Sequence, residues 1–298
     1  MVDKLRTYWS PEIEKQFYSA YDAVIQQWPV PYEDLYVPTR FGETHVIASG
    51  LADASPVILL NPGGGSSAIW LHNIGPLSRQ FRAYAVDVIG EMNKSLSTRA
   101  IKTLPEFIEW MNDLFGGLKI KSSHLVGNSN GGFLCLETAL FLPEKVGKVV
   151  LISPAATFVQ MWAFWLHVLI PAHVLAPLIR SERMVLKAYD WLWQGFPKEP
   201  AYARLKKISV LGGYPRYRPT RNTIKPRVFS DGELRQIRTP ILLLIGDHEV
   251  IYKPGAAIQR ASRLLPDFRS KIIQNANHSA QYTAPETVNK LILDFFAS

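Results

Sequence analysis

Cysteine is almost missing from this chain: Cys135 is the single one among 298 residues. An intramolecular disulfide is thereby excluded, and the usage fits a reducing compartment. No Cys/His cluster has metal-ligand spacing, so no metal and no other cofactor is expected. Residues Met1 to Ser10 are charged and lack the apolar run of a signal peptide, which makes a cytoplasmic location the expectation. Internal repeats and low-complexity tracts are absent too. Acidic residues vanish between Ala201 and Ser230, where Arg204, Lys206, Lys207, Arg216, Arg218, Arg221, Lys225 and Arg227 stand alone. The charge of this stretch, +8, equals the net charge of the whole chain. Attraction of an anionic substrate or an acidic membrane surface is one reading, and a solvated loop is the plainer one. No recognised nucleic-acid-binding module accompanies the charge, so nucleic acid is not an expected partner.

What is present in quantity is apolar sequence, 47% of the chain, enough for one large domain with a deep core and an excursion. Strand and helix patterns alternate, as a mostly parallel α/β sheet covered on both faces requires. Eight strands are predicted: Asp34 to Pro38, Thr44 to Ala48, Pro56 to Asn61, Arg82 to Asp87, Ser123 to Gly127, Lys148 to Ile152, Pro240 to Ile245 and Ser270 to Asn275. Helices are predicted for Pro105 to Phe115, Asn130 to Phe141, Gly255 to Leu265 and Pro285 to Phe296. Residues 1–31 read as an amphipathic arm whose aromatics Tyr8, Trp9, Phe17, Tyr21 and Trp28 pack on the core.

The richest motif is His124-Leu-Val-Gly-Asn-Ser129-Asn-Gly-Gly-Phe133, a G-x-S-x-G sequence between an apolar strand and a helix. It reads as a nucleophile elbow, in which Gly127 and Gly131 lack the β-carbons that would collide across the turn. Such a turn lifts the Ser129 hydroxyl off the sheet and aims the first helical N–H groups at what it attacks. An acid and then a histidine should follow in chain order. Asp247 and Glu249 lie just beyond the strand that closes on Gly246, and His278 stands three residues past the last strand. Cys135, on the helix behind Ser129, reads as core packing.

On these residues the chain resembles the α/β-hydrolase superfamily from about Thr39 to Phe296. The stretches Thr39 to Gly50, Tyr84-Ala-Val-Asp-Val-Ile-Gly90 and Asn93-Lys-Ser95 are most similar to bacterial carboxylesterases of the naproxen-esterase type. The resemblance implies an α/β-hydrolase core, 32–153 and 231–298, with a helical cap, 154–230, inserted after the sixth strand. It implies Glu249 as the acid, with Asp247 second, and a small-molecule ester as substrate. His278 would take the Ser129 proton while Glu249 fixes the imidazole tautomer. The oxyanion hole would join the N–H of Asn130 to that of Gly63 or Gly64. Pro62 has no N–H to give. Relatives usually carry His-Gly where this chain has Asn61-Pro62. The Gly63-Gly64-Gly65 run resembles the wide loops of esterases that accept bulky alcohols, though a tight turn would explain it as well.

The cap should hold specificity. Phe158 to Ile179 is uncharged and long enough to span a bilayer, but Pro171, Pro177, His167 and His173 interrupt it. A pair of cap helices lidding an apolar pocket is expected, with no stable membrane insertion. Trp162, Trp165, Trp191 and Trp193 are candidates to line the pocket, and Asn61 to touch substrate. Monomer and homodimer are both open.

Three other readings compete. Gly63-x-Gly65-x-x-Ala68 with Asp87 at the next strand end has the layout of a dinucleotide fingerprint. Two strands precede it, however, and it leaves the elbow and His278 unused. Gly127-Asn-Ser-Asn-Gly-Gly132 and His278-Ser-Ala-Gln281 are similar to motifs of hydrolases that cleave carbon–carbon bonds in ring-cleavage products, from which Ser279 and Asn61 depart. The altered loop also leaves room for a homologue that binds a small ligand and turns it over poorly.

Overall fold

Short apolar runs bounded by turn residues become the strands of one mixed sheet in the computed structural model, which describes residues 10–194, 198–212 and 224–298. The strands are β1 (Tyr32–Thr39), β2 (Gly42–Ser49), β3 (Pro56–Leu60), β4 (Arg82–Val86), β5 (Ser123–Asn128), β6 (Val146–Ile152), β7 (Ile241–Gly246) and β8 (Phe268–Ile273). Their order across the sheet is β1-β2-β4-β3-β5-β6-β7-β8. Strand β2 is antiparallel to both neighbours, and the other pairings are parallel. A two-residue ladder, Leu96–Ser97 against β2, adds to the eight strands predicted. Every residue of β7 is buried, as a strand covered on both faces demands.

The helices are α1 (Pro11–Ile25), α2 (Leu71–Ser78), α3 (Leu104–Gly117) and α4 (Asn130–Phe141) in the first half. After β6 come α5 (Trp162–Ile179), α6 (Glu182–Trp193) and α7 (Pro200–Gly212). Then follow α8 (Asp231–Gln236), α9 (Pro254–Leu264), α10 (Ala280–Thr283) and α11 (Pro285–Ala297). Two apolar layers flank the sheet: Phe107, Trp110, Leu114 and Phe133 in one, Phe17, Tyr21, Trp70 and Phe295 in the other.

Within the amino-terminal arm, Pro11–Ile25 forms a helix. Ser10 caps α1 by accepting from the Ile13 N–H, and a buried stripe of Phe17, Tyr21 and Val24 faces inward. Trp28 is buried and its indole N–H donates to Ser49 at 3.1 Å. Tyr8 and Trp9 lie outside the described residues.

Strand β8 starts and ends two residues before its predicted bounds, because Asn275 has a positive φ of 56° and already belongs to the turn. Helix α2, with Pro76 inside it, was not predicted. The larger correction concerns the cap. Where a pair of helices was expected, Trp162–Ile179 is one helical run, and Pro171 does not break it. Residues Trp165–Leu175 take the wider i→i+5 winding, and the Ala176 N–H reaches back to the Pro171 carbonyl. Only Val168, Ala172 and Ala176 of the run are buried.

Candidate active site

Strand β5 delivers Ser129 into a conformation that few side-chain-bearing residues adopt, φ 53° and ψ −117°. The turn is held from both sides. The Ser129 N–H donates to the Ile152 carbonyl at 2.9 Å, and its carbonyl accepts from Ala155 at 3.0 Å and Phe133 at 3.1 Å. A β-carbon at Gly127 would stand 2.3 Å from the Gly131 carbonyl, and one at Gly131 would stand 2.2 Å from the Leu60 carbonyl oxygen. Both glycines are thus required by close backbone approach. Helix α4 begins at Asn130, so its unpaired first N–H groups open beside the serine.

Strands β7 and β8 bring the histidine loop to the carboxyl end of the sheet, where β5 leads into Ser129. Gly246 ends β7 where a β-carbon would meet the Ala276 carbonyl oxygen at 2.2 Å, and His248 donates its N–H to that carbonyl at 3.0 Å. The Asn128 amide, one residue before Ser129, donates to the His278 carbonyl at 3.0 Å and to the Ile152 carbonyl at 3.1 Å. Above the loop, Asn277 donates its side-chain amide to the Trp193 carbonyl of α6.

The two carboxylates separate cleanly. His278 Nδ1 lies 2.8 Å from Glu249 Oε2, and both side chains are all but sealed from solvent, at 5% and 0% exposure. The other Glu249 oxygen accepts from the N–H groups of Val250 at 2.9 Å and Ile251 at 3.0 Å. Burial pushes the Glu249 carboxyl up, but His278 and the Ile251 N–H outweigh it and hold the group below its ordinary value. Asp247 instead accepts from the Ala276 N–H at 3.1 Å, bracing the loop that carries His278.

The loop after β3 is organised by backbone economy. The Gly65 N–H closes a turn on the Pro62 carbonyl at 2.9 Å, with Gly64 at a positive φ of 68°. The Gly64 N–H, one of the two expected oxyanion donors in this loop, is engaged: it donates to Glu91 Oε2 at 3.0 Å. Gly63 lies against Asn130: a β-carbon on it would sit 3.5 Å from the Asn130 β-carbon. Asn61, expected to touch substrate, is committed to the backbone. It donates to the Pro62 carbonyl at 2.9 Å and accepts from the Val88 N–H at 3.0 Å.

Beneath this loop lies a network that sequence reasoning missed. Asp87, fully buried at the end of β4, accepts from the Ser67 N–H at 2.6 Å, the Ser67 hydroxyl at 2.8 Å and the Lys94 N–H at 3.1 Å. His45 places Nδ1 2.8 Å from the same carboxylate and Nε2 against Asp34. Burial alone would lower the His45 pKa, but the two aspartates outweigh it and raise it to about 9. Burial likewise opposes ionisation of Asp87, and His45 and Ser67 reverse the balance. So committed, Asp87 has no free oxygen for a ribose, which removes the dinucleotide reading. Its signal in the sequence was the pairing of a strand-end aspartate with a histidine on an edge-side strand, visible only once β2 and β4 are known to be neighbours.

The expected pocket aromatics are divided. Trp162 and Trp165 are exposed on α5, at 70% and 45%, and are not enclosed by the described residues. Trp191 is half-buried and stacks on His167 at 4.4 Å, and Trp193 is buried under Lys206. Cys135 is buried with its thiol pushed upward by desolvation, consistent with packing. No group of three or more His, Cys, Asp or Glu among the described residues is arranged to hold a metal.

The comparisons agree with this architecture. The chain matches the alpha/beta hydrolase family over residues 57–291. It is 38% identical over 283 residues to carboxylesterase YbfK of Bacillus subtilis (strain 168), spanning 94% of this chain and 93% of that one. The crystal structure of naproxen esterase (carboxylesterase NP) from Bacillus subtilis superposes with a TM-score of 0.86 at 35% identity, covering 96% of this chain and 99% of that one. Carboxylesterase CesB (YbfK) from the same organism gives 0.84 at 36% identity, covering 96% and 98%. With its fold, its strand-to-helix serine turn and its nearly full-length relatives all in accord, the chain belongs to the α/β-hydrolase family.

Proposed function

We propose that this hydrolase is a serine carboxylesterase acting on small-molecule esters. Ser129 Oγ attacks the acyl carbon as His278 removes its proton, and the alkoxide leaves with that proton to give an alcohol and an acyl-enzyme on Ser129. Water, deprotonated by the same histidine, then releases the acid. Glu249 holds the imidazole tautomer and balances the imidazolium. The N–H groups of Gly63 and Asn130 are the donors for the oxyanion. The observation that carries this reading is the sealed His278–Glu249 pair, on a loop tied to Asn128 beside a strained serine. The similarity to Bacillus carboxylesterases supports esters as the substrate class.

The test is hydrolysis of short p-nitrophenyl esters by wild type and Ser129→Ala, with a fluorophosphonate probe and mass spectrometry to map the adduct. Wild-type turnover, a loss of at least about a thousandfold in the variant and one adduct on Ser129 are expected. Absence of turnover and adduct would transfer the chain to the ligand-binding class.

A further inference from the structure

The outer face of α5 is the most unusual surface among the described residues. Trp162, Leu166 and Leu178 are 70%, 61% and 77% exposed, and Ile170 and Val174 continue the same four-residue spacing. Trp165, Leu175 and Ile179 widen the stripe. The opposite side carries Val168, Ala172 and Ala176, buried at the same spacing in the core cluster. A contiguous apolar surface of this kind is seldom left to water. Tryptophan at its leading end suits a boundary between apolar and aqueous phases.

Charge identifies the partner. Among the described residues between Pro154 and Ser230, nine Lys or Arg face only three acids, Glu182, Asp190 and Glu199. Arg180 follows directly on Ile179, and Arg183 and Lys187 are exposed on α6, which packs against α5. Arg204 and Lys207 are exposed on α7, which packs against α6. An apolar helix face rimmed by cations is what an anionic lipid surface recognises. A second copy of this chain would set one cationic rim against another, which like charges oppose. Crossing the bilayer would tear Val168, Ala172 and Ala176 out of the core.

We propose that α5 docks in-plane on an anionic lipid surface through Trp162, Leu166, Ile170, Val174 and Leu178, with Arg180, Arg183 and Lys187 engaging the headgroups. Docking does not rest on the ester chemistry and is read without it. The full chain is floated with phosphatidylcholine–phosphatidylglycerol vesicles and with phosphatidylcholine vesicles, beside sedimentation of the free protein. Binding to the anionic vesicles is expected, at least about tenfold tighter than to the neutral ones and weakened between about 0.05 and about 0.5 M salt. The double variant Leu166→Ser/Leu178→Ser should lose at least about tenfold in vesicle affinity while hydrolysing a short soluble ester as before. Arg180→Gln/Arg183→Gln, which leaves the apolar face alone, should lose the preference for phosphatidylglycerol. Absent flotation, equal binding to both vesicles, indifference to both double variants, or a self-associated species that the serine variant dissolves would each overturn the proposal.

Discussion

Two carboxylates two residues apart meet opposite fates: Glu249 is sealed against His278, and Asp247 is turned to the Ala276 N–H. Glu249→Gln should therefore lower kcat by about 10³–10⁴ through loss of the imidazole tautomer, with KM little changed. Asp247→Asn should keep kcat within a few-fold and lower the melting temperature slightly, which a thermal scan and steady-state assay on both variants would check. Backbone proximity sets a second test. Gly131→Ala places a methyl 2.2 Å from a carbonyl oxygen, and a loss of about 2–4 kcal/mol in urea unfolding is expected. Chain order and the strand before each residue were enough to single out Ser129 and His278 as candidates from sequence. The choice between Glu249 and Asp247 rested on a family habit, because what separates them is a hydrogen bond across 29 positions of chain.

Between elements, the loop after β4 acts on the loop after β3. Asp87, Val88 and Glu91 hold Ser67, Asn61 and Gly64 respectively, so the backbone beside Ser129 is fixed by three bonds from one neighbouring segment. Glu91→Ala should free Gly64 and lower kcat about ten- to hundredfold, with a smaller effect on KM, since the misplaced donor serves the transition state. The same segment is tied to β2 by His45. Its folded pKa, about 9, lies above the ordinary 6.5. Its stabilisation is thus full below about pH 6.5 and is lost as pH rises through about 9. Urea titrations between these pH values should show a decline on the order of 2–3 kcal/mol that His45→Gln flattens. Strands were legible as elements because a sheet covered on both faces writes itself as unbroken apolar runs, as in Ile241–Gly246. Helix α2 was illegible because Gly75 and Pro76 signal a break that tertiary packing overrides. The β2–β4 network was illegible because adjacency in the sheet does not follow adjacency in the chain.

At the scale of the molecule, the cap differs from the rest. The basic stretch seen in sequence divides: Arg227 is paired with Glu137 at 2.9 Å and Glu233 at 2.8 Å, and Lys206 lies over the rings of Trp193 and Tyr202. Arg216, Arg218 and Arg221 lie outside the described residues, and Arg204, Lys207 and Lys225 are exposed. The cap's excess of cations should steer charged substrates. Added salt is expected to lower kcat/KM for an anionic ester and leave that for a neutral ester of equal size unchanged. That a long insertion follows β6 was legible from the lapse in alternation. Which side of Trp162–Ile179 faces outward was not, because the run is uncharged on every side, so its sequence marks no polar face. In Pro154–Ser230, 12 Lys and Arg stand against 3 acids, whereas the rest of the chain counts 21 basic against 22 acidic. The molecule is accordingly an electric dipole whose positive pole is the cap. Within about 10 Å of a negatively charged wall, a torque acts on it before any atom touches. Adsorbed on a cation-exchange bead, it should lie cap-down, hindering bulky substrates while small ones still enter.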